Sequence, residues 1–124
     1  MLLPVVRRPL PPWRNKPMPV MNVSHIYGTH GDFKILQTTA RVQTGVMRLS
    51  PGESSAETPQ IHPESDQLIL VLTGDLHSEV DDEECTIPSG SSLIIPAGTP
   101  HRLVNRGHAE AFIFTSYSPP AYPE

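Results

Sequence analysis

Between Phe33 and Ser118 the hydrophobic positions come in short runs, separated by polar residues, glycine and proline. FKILQTTARVQTGVMRLS is rich in β-branched side chains and ends at the turn signal Pro51-Gly52. QLILVLTG is an apolar run of strand length closed by Gly74-Asp75, and LHSEV alternates Leu76, Ser78 and Val80 against His77 and Glu79. The acidic turn DDEE, a short ECTI, a turn at PSG, and then SLIIPAG, HRLVN and AFIFTSY follow. No window of helix length keeps a 3.6-residue period unbroken by Pro or Gly. Short strands at regular spacing, separated by Gly/Pro turns, predict an all-β sandwich or barrel.

QLILVL is apolar on both alternating faces. In an antiparallel sheet one face then lines the interior, and the other meets either a second sheet within the monomer or another subunit, the latter giving a homodimer. DDEE is expected to be a solvated hairpin tip. Cys85, with no cysteine partner and no thiolate-stabilising neighbour in its strand, is expected to be a buried small residue.

Composition narrows the picture. At 124 residues the chain has room for one domain with its own core. A net charge of −4, with no Lys/Arg run, argues against a nucleic-acid or anionic-membrane surface. No apolar segment approaches the roughly 20 residues of a membrane span. MLLPVVRRPLPPW puts its apolar residues before its arginines and breaks them with proline, unlike a secretory signal. One cysteine fits a reducing compartment, so a cytoplasmic protein is expected. Residues 1–19 hold six of the fifteen prolines and cannot form helix or interior strand. They read as an extended arm that either docks through Trp13 and its Leu/Val residues or stays loose, ahead of a single domain over 20–124.

The candidate chemistry lies in Q60-I-H62-P-E-S-D-Q67 and G90-S-S-L-I-I-P96-A-G98-T-P-H101-R-L-V-N105. Residues two apart on a strand share a face, so Gln60 and His62 point the same way. If Pro63-Glu64-Ser65-Asp66 forms a hairpin loop, His62 and Gln67 become cross-strand neighbours. Ile69 and Val71, of the same parity as Gln67, would floor the group. His101 opens a strand just after the Gly98 turn, near a barrel rim, with Leu103 and Val104 below it.

These residues carry a resemblance to the cupin superfamily. Gly90 to Asn105 matches the second cupin motif without a gap: glycine, five residues, proline, any residue, glycine, two residues, histidine, three residues, asparagine. Gln60, His62, Gln67 and Gly74 fit the spacing of the first motif, but glutamines replace its first histidine and its glutamate. Phe33 to Pro120 thus looks like a small single-domain cupin. HPESDQL and FTSYSPP are similar to a bacterial subgroup that often has glutamine at the glutamate position. The resemblance implies a double-stranded β-helix, a jelly-roll barrel of two antiparallel sheets. It also implies a divalent metal (Zn, Fe, Mn or Ni) held by Gln60, His62, Gln67 and His101, and a structural rather than catalytic Asn105.

An amide oxygen can ligate a metal but brings no charge. Two imidazoles and two amides leave a divalent ion uncompensated unless an anionic substrate, a hydroxide, or Glu57, Glu64 or Asp66 supplies the charge. Three functions are therefore open. One is a cupin that binds a small polar molecule in its barrel at a divalent metal, a site that would suit an oxygenase or isomerase; another is a metal-free binding module that uses its amides as hydrogen-bonding groups. A third is a structural role with the Pro-rich arm as contact. His77 is expected to face away from the interior, and His25, His30 and His108 to lie at the surface. No nucleophile elbow, phosphate loop or zinc-protease motif is present, and no helix-turn-helix segment suggests a transcription factor.

Overall fold

The computed structural model describes residues 3–9 and 21–123. Docking of the arm through Trp13 falls outside the described residues. The Leu3 amide donates to the Val23 carbonyl at 3.1 Å, tying this part of the arm to the segment that leads into the body.

A 3-10 turn over Ile26–Gly28 precedes eight strands: β1 Phe33–Thr38, β2 Gln43–Leu49, β3 Asp66–Thr73, β4 Leu76–Val80, β5 Glu83–Ile87, β6 Ser92–Ile95, β7 His101–Val104 and β8 Ala111–Ser118. They form two antiparallel sheets, one in the order β1-β2-β8-β3-β6 and the other β5-β4-β7. The described residues contain no α-helix. The fold is an all-β jelly-roll barrel.

The run FKILQTTARVQTGVMRLS is two strands. Thr39 makes the turn between them: its hydroxyl accepts the amides of Arg41 and Val42, each at 3.2 Å, and its amide donates to the Val42 carbonyl at 2.8 Å. Between β2 and β3, residues 52–60 run beside β7 without regular strand geometry. Ser55 donates its amide to the Leu103 carbonyl at 2.7 Å, and Gln60 exchanges both backbone bonds with His101 at 2.8 and 2.9 Å. This segment widens the small sheet on its β7 side.

The core fills the barrel with the inward rows of both sheets, including Ile69, Val71, Leu76, Leu103 and Ile113, all at most 1% exposed. Each such side chain contributes about 1.5–3 kcal/mol by leaving water. The outward row of β3, Leu68, Leu70 and Leu72, is half-buried, and Ile94 beside it is 58% exposed.

Two expectations change. Cys85 is exposed rather than buried. It lies on β5, the last strand of the small sheet, opposite the β6 edge of the large one, and the cleft between the two edges leaves its side chain open. Pro63-Glu64-Ser65-Asp66 is also not a hairpin loop. β3 begins at Asp66 and pairs with β6 and β8, placing Gln67 opposite Ile95 and Tyr117 rather than His62. Asp66 Oδ1 accepts the Ala97 amide at 2.9 Å, which holds the start of β3 against the loop after β6.

Candidate functional site

Where the barrel opens, a cavity of about 290 Å³ has Gln60, His62, Gln67 and His101 in its wall, together with Tyr117 and Tyr122. The four sequence-derived positions arrive there by different routes. Gln67 comes from the inward row of β3, directly above Ile69 and Val71. His101 opens β7, and Gln60 pairs with it through the isolated bridge. His62 follows in irregular chain, its carbonyl accepting the Gly98 amide at 2.9 Å. Gln60 therefore reaches the group as the neighbour of His101, and His62 is held by the Gly98 turn.

The polar atoms are oriented for accepting. His101 Nδ1 lies 3.1 Å from the Thr99 carbonyl, which can only accept, so Nδ1 carries the proton and Nε2 keeps its lone pair. Gln67 Nε2 donates to Thr115 Oγ1 at 3.0 Å and to the Tyr117 hydroxyl at 3.3 Å. Its Oε1 is the one buried side-chain polar atom among the described residues without a hydrogen-bond partner. An orphaned buried acceptor costs about 1–3 kcal/mol, so this oxygen calls for a cation or a donor.

His62 and His101 lie ring to ring, with centroids 5.1 Å apart. Burial lowers the pKa of both below the ordinary 6.5. For His62 the adjacent His101 adds to the shift, whereas for His101 the Thr99 carbonyl works the other way. Both rings are thus neutral at neutral pH. Burial also raises the Tyr117 phenol, with Tyr122 adding to it, so this hydroxyl keeps its proton.

With folded pKa values lowered, the unfolded chain takes up protons first as pH falls. The stability held by neutral His62 and His101 is complete above about pH 6.5 and is lost as pH falls from there through the lower folded values. Metal-free protein should therefore unfold at lower urea at pH 5.5 than at pH 7.5. A His62→Ala/His101→Ala variant should show a smaller drop; an equal drop would assign the pH dependence to other groups.

The donor set fits a divalent ion in kind: two neutral imidazole nitrogens and two amide oxygens, with a carbonyl behind His101 fixing its tautomer. It supplies no charge. The acidic residues that line the cavity are Asp32 and Glu53, both exposed at its mouth, and not Glu57, Glu64 or Asp66. Glu53 also accepts the Ser50 amide at 2.7 Å.

Tyr117 and Tyr122 were not legible as site residues in the sequence. Tyr117 carries a signal: with Thr115 it makes a polar pair on the inward row of β8, which is otherwise Ala111 and Ile113, and it stands opposite Gln67. Tyr122 carried none, because it reaches the cavity only when the tail after β8 folds back. Its ring lies 5.6 Å from His62 and 5.3 Å from Tyr117.

The other histidines are elsewhere. His25, His30 and His108 are exposed. His77 lies on the outer face of the small sheet, 3.1 Å from Glu84 Oε1. With Glu79 these two form the one cluster of three His/Cys/Asp/Glu donors among the described residues. Glu79 is already paired with Arg102 at 3.3 Å and Arg106 at 3.8 Å, so two guanidinium groups compete for it.

Comparison with known proteins agrees with the fold. A family model described as "Cupin domain" matches residues 45–117. An uncharacterised protein, L612 of Acanthamoeba polyphaga mimivirus, is 30% identical over 94 residues, covering 73% of this chain and 58% of that protein. A quercetin 2,3-dioxygenase of Bacillus subtilis is 36% identical over 63 residues, covering 51% of this chain and 19% of that protein. Among solved structures, BH2720 from Bacillus halodurans superposes with a TM-score of 0.74 at 24% identity, covering 80% of this chain and 78% of that one. The chain spans about three-fifths of the length of the curated relatives it matches over most of its own length. With the family model covering more than half of its residues, this chain belongs to the cupin family.

Proposed function

We propose that the chain binds a small polar molecule in its barrel at a divalent metal held by Gln60, His62, Gln67 and His101, and acts there as a metal-dependent oxygenase or isomerase. The observation that carries this reading is the orphaned Gln67 Oε1 sharing a buried cavity wall with two neutral imidazoles. When bound, the metal would supply Lewis acidity to an oxygen-bearing substrate. The chain's own residues do the rest. Thr99 fixes the His101 ring, and Thr115 with Tyr117 fixes the Gln67 amide. The rings of Tyr117 and Tyr122 restrict water around His62. A dioxygenase among the relatives supports the enzymatic form of the reading.

The neutral donor set favours a second reading, a metal-free module in which Gln67 Oε1 accepts a hydrogen bond from the ligand. Titration with Zn, Mn, Fe and Ni separates the two. Wild-type protein is expected to bind at least one of these ions at micromolar concentration or below. Gln60→Glu is expected to bind it about tenfold tighter, because a carboxylate supplies missing charge. A protein that refuses all four ions sinks the metal reading; unchanged affinity in Gln60→Glu removes Gln60 from the ligand set.

The half-exposed row Leu68, Leu70 and Leu72, with Ile94, supports a homodimer built on the outer face of the large sheet. Light scattering should give twice the chain mass of 13.6 kDa. A mass of one chain at micromolar concentration would leave that face without a partner copy.

A further inference from the structure

We propose that Tyr122 is the specificity-determining wall of the barrel cavity, selecting a flat, uncharged, hydroxyl-bearing ring over saturated or anionic ligands, and that Gln43 is the residue that positions it. This rests on the reading of the cavity as the ligand site.

The tail after β8 returns across the large sheet, and one buried side chain holds it there. Gln43, 0% exposed on β2, accepts the amides of Ala121 at 3.2 Å and Tyr122 at 3.0 Å through Oε1. Its Nε2 donates to the Tyr122 carbonyl at 2.9 Å and to Thr38 Oγ1 at 3.1 Å. Both polar atoms of the amide are therefore used, and three of the four bonds go to the tail. Such bidentate pairing of a buried amide with the backbone sets the tail's position to within the tolerance of a hydrogen bond.

What Gln43 fixes is an aromatic corner. The Tyr122 ring is 5.3 Å from Phe33, 5.3 Å from Tyr117 and 5.6 Å from His62, and all four rings line the cavity. Aromatic faces prefer flat partners at stacking or edge distance. Met47, Leu49 and Leu103 continue the apolar surface inward.

The polar chemistry is one-sided. In the metal-free cavity Gln67 Oε1 and His101 Nε2 are acceptors without a partner, and hydroxyl hydrogens can satisfy them directly. At the mouth stand the exposed carboxylates of Asp32 and Glu53. None of the described residues lining the cavity is Lys or Arg, so a phosphate or dicarboxylate would meet two like charges and no counter-charge. The volume suits one or two fused rings.

The test uses calorimetric titration of the full chain, metal-free and nickel-treated, with three probes: catechol, cis-cyclohexane-1,2-diol and oxalate. Metal content is measured on the same samples. Wild-type protein should bind catechol at least about tenfold tighter than the saturated diol, and metal-free protein should not bind oxalate. Tyr122→Ala should abolish the preference for catechol, and Tyr122→Phe should retain it. Gln43→Met, which keeps the bulk and removes the amide, should weaken the preference as Tyr122→Ala does; a Gln43→Met protein that keeps it overturns the positioning role. No catechol binding by wild type, an intact preference in Tyr122→Ala, or oxalate binding to metal-free protein overturns the proposal. A protein that takes up no nickel yet shows the Tyr122-dependent preference supports it, while ending the metal reading of the same cavity.

Discussion

Replacing both His62 and His101 by alanine should reduce divalent-metal loading to background, a loss on the order of a hundredfold or more in affinity. Groups that only hydrogen-bond to a metal's ligands are worth about 10–100-fold at metal sites, and this variant would remove both nitrogen donors of the proposed centre. What remains, Gln60 and Gln67, is two uncharged oxygens, too weak a set to hold a transition ion against water. The variant should keep the fold, because the core around Ile69, Leu76 and Ile113 lies deeper in the barrel and contains neither histidine. Elemental analysis of protein prepared without a histidine tag, with circular dichroism as the check on folding, reads the result. Metal retained at wild-type level in the folded variant would place the ion elsewhere, with the outer His77, Glu79 and Glu84 as the first place to look.

The second large effect concerns the fold. Gly74 ends β3 with φ of +81°, and a Cβ there would sit 2.8 Å from the Glu110 carbonyl oxygen and 2.9 Å from the Ala111 Cα. Both are backbone atoms at the start of β8, the strand that pairs β3, so neither can swing aside. Left-handed backbone costs a non-glycine residue about 1–2 kcal/mol. Forcing atoms into a packed site adds about 1–3 kcal/mol. Gly74→Ala should therefore lose about 2–5 kcal/mol in urea unfolding. A loss below about 1 kcal/mol would mean that the turn shifts freely and that glycine is dispensable there.

The motif positions gain physical meaning from these contacts. Asn105 is fully buried, donates through Nδ2 to the carbonyls of Leu49 and Ala109 at 2.8 Å each, and accepts the Gly107 amide at 2.9 Å. It ties β2 to the β7–β8 loop, which is a structural role. Gly98 turns the chain at φ +78° so that its amide can hold the His62 carbonyl. The second motif therefore places both histidines, one within it and one across from it.

The strands were legible because their code is local. Apolar alternation and Gly/Pro turns mark β3 to β8 within a residue or two. Pro, Ser and Asp together look like turn chemistry and suggest His62 and Gln67 as hairpin partners, whereas β6 and β8 claim Gln67 from a distance. Burial of Cys85 failed for a similar reason: local pattern gives the face of a strand but not whether a neighbouring strand covers its edge. Tyr122 lay beyond reach because its place depends on Gln43, 79 residues away in sequence. The lack of charge among Gln60, His62, Gln67 and His101, which share one cavity wall, is by contrast readable from residue identity alone.

Crystals grown with cobalt and measured at its absorption edge test the proposed metal centre most directly, because the anomalous signal gives the position of the ion as well as its presence. The expected result is one strong peak inside the barrel, within bonding distance of His62, His101 and Gln67 Oε1. A peak confined to the outer face at His77, Glu79 and Glu84, or a barrel that stays without one, would contradict it.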